Sequence, residues 1–105
     1  MTVYDTIILG SSPNALVAAA YLAKAGQRVL VLEPSAQLGG AAATAEFSDG
    51  FQADAGLIGG RLDPQIVDDL QLREYGLQAI ERDTVTSLLP NGRSFTLPAD
   101  REAAA

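Results

Sequence analysis

Thr6-Ile7-Ile8-Leu9-Gly10-Ser11-Ser12-Pro13-Asn14-Ala15 opens the reading that decides the fold, and Arg28-Val29-Leu30-Val31-Leu32-Glu33 completes it. The run from Val3 to Leu9 is rich in apolar and β-branched residues. It reads as a strand buried on both faces, as in a parallel sheet. Gly10 permits a tight turn, Ser12 is a favourable helix N-cap, and Pro13 suits the first helical position, where its missing N–H has no partner to lose. The spacing predicts a helix from about Pro13 to Ala25, with Leu16, Ala19, Ala20 and Ala23 on the face toward the sheet. Gly26 stands where a left-handed C-terminal cap belongs. Arg28 to Leu32 is then a second strand, parallel to the first through a right-handed crossover.

A strand, a lean turn and a helix N-terminus make a site for linked phosphates, because the first-turn N–H groups and the helix dipole face the anion. In the glycine pattern of such turns, the first glycine is Gly10, the second place is held by Ser12 and the third by Ala15. Alanine is tolerated at the third place; serine at the second narrows the approach but brings a hydroxyl that can donate to a phosphate. Glu33, 23 positions after Gly10 at the end of the second strand, is placed to accept from ribose hydroxyls and to repel a 2′-phosphate, which disfavours NADP. Each feature has a plainer reading, as a chance glycine turn, a solvated strand-end charge or, for Gly39-Gly40, a surface turn. Their combination points to an adenine dinucleotide.

Composition narrows the chemistry. The 105 residues carry a formal net charge of −6, which disfavours nucleic acid and anionic membrane as partners. There is no Cys and no His, so disulfides, Cys/His metal sites and Ser-His or Cys-His nucleophiles are excluded; no metal site is expected. Proton chemistry rests on carboxylates, tyrosines, one lysine or a cofactor. No targeting segment and no apolar stretch of spanning length is read, so the chain is expected in the cytoplasm.

Beyond Glu33, Pro34 to Ala45 reads as a loop or short helix, followed by an extended piece around Phe47 and a turn at Asp49-Gly50. Asp63-Pro64 repeats the cap-and-proline start of a helix, which Gly76 is expected to end. Leu77 to Ile80 reads as a strand. Thr84 to Leu89 and Ser94 to Leu97 flank Pro90-Asn91-Gly92-Arg93, a hairpin signal with a type I′ turn at Asn-Gly. Arg101 to Ala105 looks like the start of a helix.

The run Tyr4 to Ala23, with Asn14 followed by Leu16-Val17-Ala18-Ala19, resembles the N-terminus of phytoene-desaturase-like flavoproteins, in the branch related to pyridine-nucleotide-disulfide-oxidoreductase domain protein 2. Leu38-Gly39-Gly40-Ala41-Ala42, Pro64-Gln65-Ile66, Gly76-Leu77 and Pro90-Asn91-Gly92-Arg93 resemble it too, so the likeness covers nearly the whole chain. It implies an FAD-dependent oxidoreductase acting on apolar substrates by dehydrogenation or desaturation. By this resemblance Gly10, Ser11, Ser12, Pro13, Asn14 and Ala15 form the pyrophosphate turn and Glu33 takes the ribose. Gly39, Gly40, Ala41 and Thr44 approach the flavin side, and Asp54-Ala55-Gly56 matches a segment near the isoalloxazine. Relatives often carry arginine where this chain has Ala41, which removes one contact.

The expected fold is therefore α/β: a Rossmann-like βαβ FAD/NAD(P)-binding unit, then a helix and an antiparallel hairpin, incomplete as it stands. A dinucleotide-binding portion over 1–57, a substrate-side portion over 58–100 and a tail over 101–105 are expected. Catalytic residues cannot be named. The chain is expected to need a second chain or self-association to complete its sheet. One half of a split flavoenzyme and a small non-catalytic module binding NAD or FAD remain open readings.

Overall fold

The computed structural model describes residues 1–54, 60–80 and 84–98. Met1–Tyr75 and Gly76–Ala105 form two compact units.

The first unit begins with β1, Thr6–Leu9, the helix α1, Pro13–Lys24, and β2, Val29–Leu32. β1 and β2 are parallel, with Thr6 opposite Val29 and Leu9 opposite Leu32. The strand starts at Thr6 rather than Val3. Its entry is pinned by Asp5, whose carboxylate accepts from the Arg28 guanidinium at 2.8 and 3.0 Å and from the Arg28 amide at 2.9 Å. Arg28 holds the Asp5 carboxyl below its ordinary range.

Ser12 caps α1: its hydroxyl accepts from the Ala15 N–H and its carbonyl from the Leu16 N–H. At the other end, Gly26 N–H donates to the Ala23 carbonyl and Gln27 N–H to that of Leu22. That pair is a Schellman closure, and it needs the left-handed backbone of Gly26, φ +87°.

α1 packs on both strands, but its inner face differs from the expected one. Pro13, Ala15, Val17, Ala19, Ala20 and Leu22 are half-buried, whereas Leu16 and Ala23 are exposed. Two strands give the helix a narrow bed, so only part of an apolar helix is covered. The sheet likewise is not buried on both faces: α1 covers one side, and Ile7, Leu9 and Leu32 remain exposed on the chain's surface. Val67 is the only buried apolar side chain among the described residues.

A 3-10 turn at Gly40–Ala42 leads to a hairpin: the extended piece expected around Phe47 and the turn expected at Asp49-Gly50 are joined by a second strand that the sequence reading does not include. Its strands are β3, Thr44–Ser48, and β4, Phe51–Asp54, antiparallel with a bulge between Glu46 and Ser48. Gly50 turns it at φ +77°, and its N–H donates to the Glu46 carboxylate.

α2 spans Pro64–Asp69, with the Asp63 side chain capping Gln65 N–H at 2.9 Å. The helix stops well before Gly76. Gln71 N–H donates to Asp68 and Leu72 N–H to Val67, the same Schellman closure as in α1, with Gln71 at φ +52° in the glycine role. A non-glycine residue there costs about 1–2 kcal/mol, against roughly 0.4–1 kcal/mol that extra glycine freedom costs through the unfolded chain. Gln71→Gly is therefore expected to stabilise the fold by about 0.5–1 kcal/mol, read as a higher denaturant midpoint at unchanged slope. α1 and α2 are joined by Tyr21, whose hydroxyl donates to the Asp69 carboxylate at 2.8 Å, and by Lys24, which donates to the Asp69 carbonyl.

In the second unit, β5, Thr84–Leu88, and β6, Ser94–Pro98, pair antiparallel, Thr86 opposite Thr96. Leu77–Ile80 joins no strand. The hairpin turn is not type I′. Gly92 N–H donates to the Leu89 carbonyl and Leu89 N–H to the Arg93 carbonyl, so Pro90 and Asn91 are the central residues and only Gly92 has positive φ, +77°. Pro90, locked near −65°, suits the first central place of an ordinary turn and draws the turn one residue forward. Glycine then takes the bulge position of a three-residue hairpin loop. The helix start read at Arg101 to Ala105 lies outside the described residues.

Candidate functional site: the turn between β1 and α1

The site is built where β1 gives way to α1. Gly10 N–H continues the ladder to the Leu32 carbonyl at 2.7 Å. The chain then reverses through Gly10 at φ +88°, and nothing lies within 4 Å of where a Cβ on Gly10 would stand. The surface above the turn is thus open backbone. The N–H groups of the first helical turn have no intrahelical acceptor and face outward from the helix end. Pro13 and Asn14 open that turn; Pro13 has no N–H and the Ala15 N–H goes to Ser12 Oγ, so Asn14 supplies the outward amide. Ser12 Oγ is 3.3 Å from the Ala15 N–H; because it accepts there, its own proton stays available to a phosphate oxygen.

Ser11, two residues into the turn, faces the other way. It is 1% exposed, the most buried side chain among the described residues. Its hydroxyl donates to Glu33 Oε2 at 2.6 Å and its amide to the same oxygen at 2.8 Å. The Gly39 N–H lies 3.1 Å from the Ser11 carbonyl and 3.2 Å from Ser11 Oγ, donating to both. Glu33, just past the end of β2, also accepts from the Ser35 amide through Oε1 at 2.9 Å. The Ser11 hydroxyl first, then the Ser35 amide, hold the Glu33 carboxyl below its ordinary value despite partial desolvation.

The Gly39-Gly40 pair completes the arrangement. Both have positive φ, +110° and +54°, and a Cβ on Gly40 would come 3.4 Å from Ser12 Cα. A second glycine-rich backbone therefore lies directly against the turn. The structure brings Gly10 to Ala15, Glu33, Gly39 and Gly40 together. Ala41 lies in the 3-10 turn that follows and Thr44 opens β3; no hydrogen bond among the described residues ties either to the β1–α1 turn. Thr44 instead gives its carbonyl to the Gln37 side chain. Ala55 and Gly56 lie outside the described residues. Ser35 was missed in the sequence, although an acid two residues before a free amide is a local signal for such a contact.

The open concavity between α1 and α2, about 400 Å³ and lined by Lys24, Asp69, Leu72 and Tyr75 among others, sits at the far end of α1 from this turn. No group of residues able to hold a metal occurs among the described residues, and no described helix is long and apolar enough to cross a membrane.

Ser12 is both cap and phosphate-facing residue, and the two roles separate by substitution. Ser12→Ala is expected to cost about 1 kcal/mol of stability and Ser12→Gly only a few tenths. Ser12→Gly should leave nucleotide affinity equal or tighter, because it removes a Cβ from the approach. A titration showing a large loss would make the hydroxyl a required contact.

The comparisons agree with this geometry. The NAD(P)-binding Rossmann-like domain family matches residues 8–82. The chain is 40% identical over 98 residues to mouse (Mus musculus) pyridine nucleotide-disulfide oxidoreductase domain-containing protein 2, covering 90% of this chain and 17% of that protein. It is 37% identical over 103 residues to a limonene dehydrogenase subunit of Castellaniella defragrans, covering 93% and 18%. It is 48% identical over 54 residues to all-trans-retinol 13,14-reductase of Macaca fascicularis, covering 50% and 8%. The chain thus spans less than a fifth of the length of these relatives. Parallel β1 and β2, the crossover helix and the open turn between them are the physical content of the family match: this chain belongs to the NAD(P)-binding Rossmann-like domain family.

Proposed function

We propose that this chain is the FAD-binding portion of a phytoene-desaturase-like oxidoreductase acting on an apolar substrate by dehydrogenation or desaturation. The observation that carries the reading is the Gly39-Gly40 backbone lying against the β1–α1 turn while Glu33 stands beside the same turn. A single glycine turn suffices for two phosphates. A second one closing on it suits a longer cofactor whose other half runs on past the pyrophosphate. The names of relatives support the substrate class, since limonene and retinol are both apolar.

The residues fit the cofactor. Gly10 leaves open space for phosphate, the start of α1 presents the Asn14 amide and the Ser12 hydroxyl, and Glu33 offers acceptor capacity for a ribose hydroxyl. Bound there, FAD supplies the two-electron acceptor for substrate dehydrogenation. The chain's own work is to bind and orient. Among the described residues, Glu33 is the ionisable side chain tied to the turn, through Ser11, and its part in this reading is to bind; turnover is assigned to the protein completed by further segments or a partner. Ile7, Leu9 and Leu32, exposed beside a two-stranded sheet, are surfaces that a second chain or further strands would cover, and the limonene dehydrogenase relative is itself named as one subunit of an enzyme. We place this function in the cytoplasm.

The test is a visible spectrum of the purified chain, alone and together with the segment or partner that completes its sheet, after addition of FAD. Flavin bands that stay with the protein through gel filtration support the reading. A colourless protein that binds NAD under the same conditions overturns FAD in favour of a nicotinamide module.

A further inference from the structure

Ser11 stands at a crossing of three segments: the β1–α1 turn, the end of β2 and the Gly39-Gly40 loop. Its side chain is turned away from the open surface over Gly10, so it does not line the phosphates directly. Buried at 1% exposure, it has its hydroxyl proton on Glu33 Oε2 at 2.6 Å and takes the Gly39 N–H on the same hydroxyl oxygen at 3.2 Å. The direction of the proton is settled by chemistry, because an ionised carboxylate only accepts and an amide only donates.

We propose that Ser11 is a positioning residue for adenosine recognition: its hydroxyl, clasped between Glu33 and Gly39, sets the Glu33 carboxylate in the orientation that grips the ribose. This deepens the proposed function and rests on it. A carboxylate has about four lone-pair sites. The Ser11 amide and hydroxyl fill those of Oε2, and Ser35 takes one on Oε1, leaving one on Oε1 for a ribose hydroxyl. Without the Ser11 hydroxyl, Oε2 loses one of its two anchors and the carboxylate gains freedom to rotate, so the ribose must order it on binding. The same loss frees one of the two acceptors that hold Gly39. Ser11 thus couples sugar recognition to the placement of the second glycine loop.

The experiment is a thermodynamic cycle between Ser11 and the sugar. ADP and 2′,3′-dideoxy-ADP are titrated by calorimetry into the unsubstituted chain and into Ser11→Ala. The unsubstituted chain should prefer ADP about tenfold or more, as expected for a charged acceptor meeting a hydroxyl. In Ser11→Ala the preference should shrink to about threefold or less, with affinity for the dideoxy analogue nearly unchanged. Equal losses for both ligands would mean that Ser11 merely supports the fold, and would overturn the proposal while leaving the ribose role of Glu33 intact. Equal binding of both ligands by the unsubstituted chain would overturn the ribose reading itself, and the positioning role with it. Should Ser11→Ala not fold, the side-chain carboxyl resonance of Glu33 in the unsubstituted chain decides. A titration midpoint below the ordinary glutamate range supports the clasp, and an ordinary midpoint overturns it.

Discussion

Glu33→Ala is expected to weaken binding of an adenine dinucleotide about ten- to a hundredfold, the range for removing a charged hydrogen-bond acceptor from a ligand hydroxyl. The substitution also strands the Ser11 hydroxyl and amide, which lose their shared acceptor. The loss should therefore exceed that from any other single truncation on the ribose side. Flavin fluorescence, quenched or restored as FAD is titrated, measures it in the binding-competent protein; unchanged affinity would remove Glu33 from the site. The pH dependence has a defined sign. Because the folded carboxyl lies below its ordinary 4.5, its contribution is fully present above that value and disappears as the pH falls through the lowered folded value. Affinity should be flat through neutrality and collapse only in acid. A fall already between pH 6 and about pH 7 would point to a group other than this carboxylate, which is ionised throughout that range.

Gly10→Val is expected to lower both stability and affinity by a large margin. Gly10 stands at φ +88°, where an L-residue costs about 1–2 kcal/mol and a β-branched one more. Space is not the obstacle within the protein, since nothing lies within 4 Å of the added Cβ. Whatever a side chain does there, it does to the approaching ligand. Gly10→Ala therefore serves as the partner variant: it carries the backbone strain with the smallest obstruction. Thermal unfolding should show both variants destabilised, valine more than alanine. Nucleotide titration at a temperature where both remain folded should show valine losing at least about tenfold more affinity than alanine. Equal affinities for the two would mean that the phosphates do not pass over Gly10.

Local features were legible because their causes lie within a few residues. Ser12-Pro13 and Asp63-Pro64 each start a helix as expected, since capping depends on a side chain reaching an amide two or three positions on. Gly26 closes α1 in the left-handed conformation only glycine adopts cheaply. The failures arose where two local preferences compete. Asn91-Gly92 favours one turn, but Pro90 fixes the preceding φ and wins. Gly76 looks like the end of α2, yet Gln71 accepts a left-handed backbone because the Schellman bonds to Asp68 and Val67 compensate it. Leu16 and Ala23 fit an apolar helix face by period, but the width of the sheet beneath decides which residues are covered.

What the amino-acid order determined alone is the βαβ grammar: a strand, a glycine turn, a capped helix and a second strand ending on an acid, each dictated by backbone sterics and short-range hydrogen bonding. Only the tertiary structure decided that Ser11 points inward and Ser12 outward, that one carboxylate oxygen takes both donors of Ser11, and that Gly39 reaches back across 28 positions to the same serine. The physical reason is range. Neighbours in sequence set φ, ψ and caps, whereas the direction of a hydroxyl is chosen by whichever buried acceptor the fold brings beside it.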